Sequence, residues 1–316
     1  MSAPINRGAL RSADVKSTTM SRLIRDRWMY LMLIPGLLYY ILFRYGPMVG
    51  LVSAFQDYQP FLGFFRSPFV GMKHFQRFFN DAQFGMLLRN TLIFGLMNLF
   101  LYFPIPIIVS LLLNEVRNSA YKNTVQSLIY IPHLVSWVVV YSLTYNFFTT
   151  EGGIVNEILK SLGLHTIDPL LSVSAFRPMV LLQIIWKETG YGTIIFLAAI
   201  AGVDPSLYEA AKVDGAGRWK QMVHITWPAI RSTVVTMLIL RTGYFLDTGF
   251  EQLLLMVNAV NRSVGQTFDT YIYEMGIRGG QFSYTAAVGF FKSIVALALV
   301  LLTNAVAKRC GEDGLF

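Results

Sequence analysis

Charge is what this chain is short of. Of its 316 residues, 14% are charged and 54% are hydrophobic, whereas a soluble globular domain carries roughly 25% charged residues. That deficit excludes an ordinary water-facing surface. The single cysteine, Cys310, excludes an internal disulfide and any multi-cysteine metal site. Four histidines, His74, His133, His165 and His224, are scattered without metal-ligand spacing. The phosphate-loop pattern G-x-x-x-x-G-K-S/T does not occur, so any nucleotide-driven work must come from another chain. There is no H-E-x-x-H run and no supportable Ser, His and Asp arrangement, which argues against an intramembrane hydrolase. The first 27 residues contain no apolar core and do not read as a secretory signal peptide.

What the chain has instead is long apolar runs. A spanning helix needs about 20 mostly apolar residues, and six stretches qualify, near 29–53, 91–113, 125–148, 178–201, 231–256 and 286–307. The expectation is an all-α membrane protein with six spans. Lipid cannot satisfy the edge of an open sheet, and a barrel would show short alternating segments. Arg44 and Pro47 predict a kink or an early end in the first span. Pro104 and Pro106 fall inside the second, and Gly190-Tyr191-Gly192 is expected to interrupt the fourth. Residues 1–19, rich in Ser, Thr and Arg, are expected to form a disordered tail. Residues 20–316 then form one transmembrane domain, with Ser21–Trp28 as a short amphipathic helix at its entry. A second amphipathic stretch, Met72–Phe79, is expected to rest on the outer membrane surface.

The net charge of +8 does not point to nucleic acid, because the basic residues sit beside apolar spans. Six spans put both termini on one side. The tail, the 117–122 turn, the 203–230 loop and the C-terminal end together hold roughly twice the Lys and Arg of the opposite loops. Both termini and the 203–230 loop are therefore expected in the cytoplasm.

That loop reads VDPSLYEAAKVDGAGRWKQMVHITWPAI. Asp204 before Pro205 is a helix start, a capping carboxylate followed by a residue that needs no amide partner. The helix should stop at Gly215, which tolerates a left-handed backbone. A second helix is expected from about Gly217 to Thr226, ending before Pro228. Val213, Ala216, Trp219 and Val223 recur at helical spacing; by that periodicity alone the pair could simply pack under the bundle or lie on the membrane.

The order of residues is more specific. Glu209-Ala210-Ala211, then Gly215, Ile225 and Pro228, resembles the signature loop of binding-protein-dependent ABC importer permeases, with Trp227 in the usual Leu position. The likeness continues through LMLIPGLLYY, FVGMKHFQRFF, RNTLIFGL, LLLNEVRN, YIPHLVSWVVV, IWKETGYGTIIFLAAIAG, FEQLLLMVN and AVAKRCGEDGLF, covering residues 25–316. These segments resemble the branch of sugar permeases that serves oligosaccharide and polysaccharide uptake. Within it the chain resembles the first membrane subunit of alginate importers, and permeases for other sugars share the same segments. The resemblance implies a six-helix type I ABC importer permease with a cytoplasmic coupling helix between spans 4 and 5, in the cell inner membrane. It implies a second homologous permease, two ATPase subunits that hold ATP and Mg, and an extracytoplasmic solute-binding protein. This chain itself would bind no cofactor and hydrolyse nothing. Glu209, Ala210, Ala211, Asp214, Gly215, Ala216, Gly217, Ile225 and Pro228 would form the ATPase-coupling surface. Small residues there permit close approach, and Glu209 offers a charged acceptor. A secondary transporter is the alternative reading; it would have midplane charges but no need of this loop or of ATPases.

Charges inside spans either pair structurally or line a watery path. Lys187, Glu188, Arg241, Asp247, Glu251 and Lys292 fall in predicted spans, with Arg241, Tyr244 and Thr248 on one helical stripe and Asp247 and Glu251 one turn apart. Trp186, Lys187, Tyr191, Arg241, Tyr244 and Lys292 are the candidate saccharide-path residues: aromatics to stack on pyranose faces and cations to suit an anionic sugar.

Overall fold

A computed structural model describes residues 26–311 and Gly314. The tail at 1–19 and most of the 21–28 stretch lie outside the described residues. The chain divides into two compact units, Met1–Val52 and Ser53–Phe316. Among the described residues the first unit is helical, and its helix, α1, is Arg27–Phe55. Every side chain from 27 to 49 is exposed, as fits a helix immersed in lipid. Pro47 does not end it. Proline lacks an amide donor and its ring crowds the carbonyl one turn back. The chain accommodates it with a π-helical turn at Ile41–Tyr45, then tightens to a 3-10 turn at Val49–Phe55.

The second unit is helical, and among the described residues its only β-pairing is one isolated bridge, Gln56 to Phe69. In chain order its helices are α2 (Lys73–Phe79), α3 (Phe84–Asn114), α4 (Ser119–Leu134), α5 (Trp137–Phe148) and α6 (Ile154–Ser161). There follow α7 (Val173–Ala201), α8 (Pro205–Val213), α9 (Arg218–Gly243), α10 (Phe250–Met256), α11 (Arg262–Gly265), α12 (Phe268–Ile272) and α13 (Phe282–Arg309). α1, α3, α7, α9 and α13 have 26 to 31 residues, or about 39–46 Å of helix. That exceeds a hydrocarbon core of about 30 Å. The α4–α5 pair, bent by 96°, adds a sixth apolar element, third in chain order. Val135 and Ser136 are extended there, and Ser136 restarts the helix by accepting a hydrogen bond from the Val139 amide.

Three sequence expectations need correction. The fifth span does not run to residue 256. α9 ends at Gly243, the chain turns through 244–249, and α10 is a separate helix entered from Gly249. Arg241, Tyr244 and Thr248 therefore share no helical stripe. The fourth span is not interrupted: α7 runs unbroken through Gly190-Tyr191-Gly192. Gly190 is there for packing, since a Cβ on it would strike the Ile129 carbonyl and the Tyr130 backbone of α4. Small residues allow such close crossings in membranes, where lipid removes the hydrophobic drive for association. Finally, α2 does not simply rest on a membrane surface. Its Phe75 and Phe78 are buried, and Phe78 packs among Phe84, Phe268 and Phe291.

Polar bonds lock the crossings together. Buried Asn90 of α3 donates to the carbonyls of Ser263 and Gln266 and accepts from Arg177 of α7 at 2.8 Å. The apolar core of this unit gathers Phe94 and Tyr102 of α3, Val140 of α5, Phe176 and Val180 of α7, and Leu253 of α10.

Candidate functional site

The loop between α7 and α9 is built as a helix–turn–helix. Asp204 caps α8, its Oδ1 accepting from the Ser206 amide at 2.9 Å, with Pro205 at the first position. That amide bond, seconded by the Ser206 hydroxyl, holds the Asp204 carboxyl below the usual carboxylate range. Gly215 takes φ +76°, and the Ala216 amide closes back on the Ala211 carbonyl at 2.8 Å. α9 then begins at Arg218. It does not end before Pro228. A π-helical turn at Met222–Thr226 carries it into the span, loosening the ladder just where proline cannot donate. Ile225 is half-buried in that turn and Pro228 is exposed on the span.

Glu209, Ala210, Asp214, Gly215 and Gly217 are exposed, and Ala211 and Ala216 are half-buried. Val213 is 88% exposed and Trp219 72%, so these two do not pack under the bundle. The pair is braced from behind. Arg218 Nη1 donates to the Glu115 carbonyl at 3.1 Å, and the Tyr208 hydroxyl meets the Thr226 hydroxyl at 2.9 Å. Glu209, Lys212 and Arg218 share a cavity of about 630 Å³ with the α3–α4 turn, Asn114–Arg117.

The charges within the crossings are mostly committed. Lys187 is buried; its ammonium donates to the His133 carbonyl at 2.8 Å, where α4 ends, and lies 3.5 Å from Glu188 Oε1. A cation at a helix C-terminus offsets the partial negative charge of its free carbonyls. Glu188 Oε2 meets His133 Nδ1 at 2.9 Å, and the His133 ring stacks on Tyr191 with centres 4.6 Å apart. Lys187, Glu188 and Tyr191 thus hold together the bend of the third crossing. Lys292 of α13 lies between Asp247, in the 244–249 turn, and Asp269 of α12, and is paired with both.

Arg241 is arranged differently. Its guanidinium lies 4.8 Å from the ring centre of Tyr102. With Tyr244 it lines a cavity of about 220 Å³, together with Asn98, Trp137, Glu188 and Gln252. Gln252 is fully buried; its amide nitrogen donates to Gln183 Oε1 at 2.8 Å, and Gln183 donates to Thr144 at 2.7 Å. The Gln252 carbonyl oxygen is buried and has no partner among the described residues. An unsatisfied acceptor of this kind costs about 1–3 kcal/mol, and it belongs to a side chain that lines this cavity. Trp186 lies elsewhere, on an apolar cleft of about 480 Å³ with Leu143, Phe147, Met179 and Leu182. Of the six candidate path residues, Arg241 and Tyr244 share this cavity, and Tyr244 and Lys292 share another of about 430 Å³.

The sequence pattern of one family, described as "Binding-protein-dependent transport system inner membrane component", matches residues 82–311. The chain belongs to that family. It is 51% identical over 314 residues to the polygalacturonan/rhamnogalacturonan transport system permease protein YteP of Bacillus subtilis, covering 99% of this chain and 98% of that one. It is 53% identical over 297 residues to the protein LplB of the same organism, covering 94% and 93%. Among solved structures, it superposes on a chain of a bacterial alginate ABC transporter in complex with its alginate pentasaccharide-bound periplasmic protein. The TM-score there is 0.85 at 35% identity, over 94% of this chain and 99% of that chain.

The chain is accordingly an integral membrane permease of a sugar ABC importer, a transport component and not an enzyme. For such a permease the cavity at Arg241 has the needed character: aromatic walls, hydrogen-bonding groups and one guanidinium with no carboxylate bound to it among the described residues. Asn98, Trp137 and Gln252 were not singled out from the sequence. Asn98 carried a usable signal, a lone amide inside an apolar run, and the structure puts it in a π-helical turn, Met97–Tyr102. Gln252 carried none, because the fifth span read as continuous through it.

Proposed function

We propose that this permease imports acidic, uronate-containing oligosaccharides, driven by partner ATPases that grip the loop at 209–228. The observation that carries the drive is the exposed helix–turn–helix, with Glu209, Ala210, Gly215 and Gly217 uncovered beside bare Val213 and Trp219. Apolar surface left open on a rigid, capped element suits a partner's groove. The substrate class is supported by the names of the relatives, polygalacturonan/rhamnogalacturonan and alginate, and by the guanidinium of Arg241, which pairs directly with no carboxylate among the described residues although Glu188 and Asp247 also line its cavity. ATP and Mg reside in the two ATPase subunits. A second permease completes the pathway, an extracytoplasmic solute-binding protein delivers the sugar, and the assembly sits in the cell inner membrane with both termini cytoplasmic.

The experiment is purification of the complex from its native membrane, then reconstitution with its binding protein and either alginate or galacturonate oligomers. Co-purification of two ATPases and ATP-dependent uptake of one of these is expected. Uptake that persists without any ATPase subunit would favour a secondary transporter instead.

A further inference from the structure

The connection between the fifth and sixth crossings folds into a second cavity. α10, α11 and α12 follow one another, and α12 passes into a π-helical turn, Tyr273–Arg278. Together they enclose about 260 Å³. α10, only seven residues or about 10 Å long, is shared: Gln252 lines the cavity at Arg241, and Leu254 lines this one. The α9 crossing separates both the connection and this cavity from the loop at Glu209.

Most polar groups in the wall are already satisfied. Glu274 Oε2 accepts from Arg262 Nη2 at 3.0 Å and from Gln266 Nε2 at 2.7 Å. Arg262 Nε donates to Gln266 Oε1 at 3.0 Å, and the Thr270 hydroxyl donates to the Thr267 carbonyl at 3.1 Å. That side is neutral overall. Arg278 is not neutralised. It lines the cavity, is exposed, and pairs with no carboxylate among the described residues. Its guanidinium lies 5.4 Å from the ring centre of Tyr273, which props the planar group without consuming its donors. The Tyr273 hydroxyl also lacks a partner among the described residues. A guanidinium of fixed plane presents the two parallel N–H groups that a carboxylate takes.

We propose that this cavity is an outer subsite for one uronate unit of the incoming chain. Arg278 takes the carboxylate, Tyr273 hydrogen-bonds a ring hydroxyl, and the neighbouring unit reaches toward the cavity at Arg241 past α10. The proposal rests on the acidic-oligosaccharide reading above.

The test uses the complete transporter with its binding protein, in vesicles of zwitterionic lipid and in a parallel set with anionic lipid added, and whichever of alginate or galacturonate oligomers the wild type imports. Arg278→Gln should lower uptake about tenfold, the loss of one charge-assisted contact. Arg278→Lys, which keeps the charge but not the two parallel N–H groups, should restore only part of it, and Tyr273→Phe should cost a few-fold. Assembly of the complex and affinity for unloaded binding protein should be unchanged in all three. Wild-type uptake by Arg278→Gln overturns the subsite. So does a parallel loss of affinity for the unloaded binding protein, which would make the surface a protein contact, or an effect of Arg278→Gln confined to vesicles with anionic lipid. If the wild type imports neither oligomer, the acidic-substrate reading fails first, and the subsite with it.

Discussion

Lys292 faces two carboxylates at the place where the fifth crossing breaks. Asp247 comes from the 244–249 turn and Asp269 from α12, so one ammonium ties three elements. Removing it leaves the largely buried Asp269 without its cation, beside the exposed Asp247. Breaking the Lys292–Asp269 pair costs up to about 3 kcal/mol. Lys292→Met should therefore lower thermal stability in detergent sharply, and adding Asp269→Asn should recover part of the loss. An unchanged melting temperature for Lys292→Met would show that the cluster does not hold the break. At this scale the sequence showed which residues carry charge within the crossings, but not what each charge does. Lys187 and Lys292 read alike as cations in apolar runs. One caps a helix end and the other ties a broken span, and neither is free in the way Arg241 is.

At the scale of elements, a polar clasp fixes α2 against the last two helices. Asp81, just after α2, accepts from the hydroxyls of Tyr271 and Tyr284 at 2.8 and 2.7 Å and from the Gln83 amide at 2.8 Å. The Arg77 guanidinium lies 4.3 Å from the ring centre of Tyr284. Burial pushes the Asp81 carboxyl up, but these bonds and the Arg77 charge together bring it below its ordinary value. A carboxyl lowered by folding stabilises the folded state above its unfolded pKa, about 4, and that stabilisation is lost as pH falls through the lower folded value. Asp81→Asn should melt below the wild type at pH 6, and the gap should narrow as pH falls below about 4. A gap that stays constant with pH would mean that the carboxylate charge contributes nothing. The elements themselves were largely legible. Asp204-Pro205 and Gly215 marked the ends of α8, and six apolar runs marked six crossings. The Gly190 region misled because glycine signals either a break or a close approach, and only the neighbouring α4 decides between them.

For the whole molecule, the question is how work applied at one loop reaches the crossings. On the proposed drive, a push on the Glu209 helix pair would be carried by α9, continuous from Arg218 to Gly243, to the turn at 244–249, beside Arg241 and Asp247. Gly215 at φ +76° is the joint, and a side chain there costs about 1–2 kcal/mol of backbone strain. In the assembled importer, Glu209→Ala combined with Gly215→Val should cut substrate-stimulated ATP hydrolysis by at least tenfold. The melting temperature of the permease itself should fall only modestly. Full coupling in that double variant would remove the loop from the drive.

By itself the sequence determined the solvent of this protein, where its apolar helices run and the family to which it belongs. Each rests on local properties: apolar length, charge beside spans, and fixed residues at fixed spacing. Tertiary structure alone decided where the fifth span breaks, which cations are spent, and which polar groups meet in a cavity. Those outcomes depend on contacts between residues far apart in the chain, such as Lys292 with Asp247 or Gln252 with Gln183, and a pattern read along one segment carries no record of its partners.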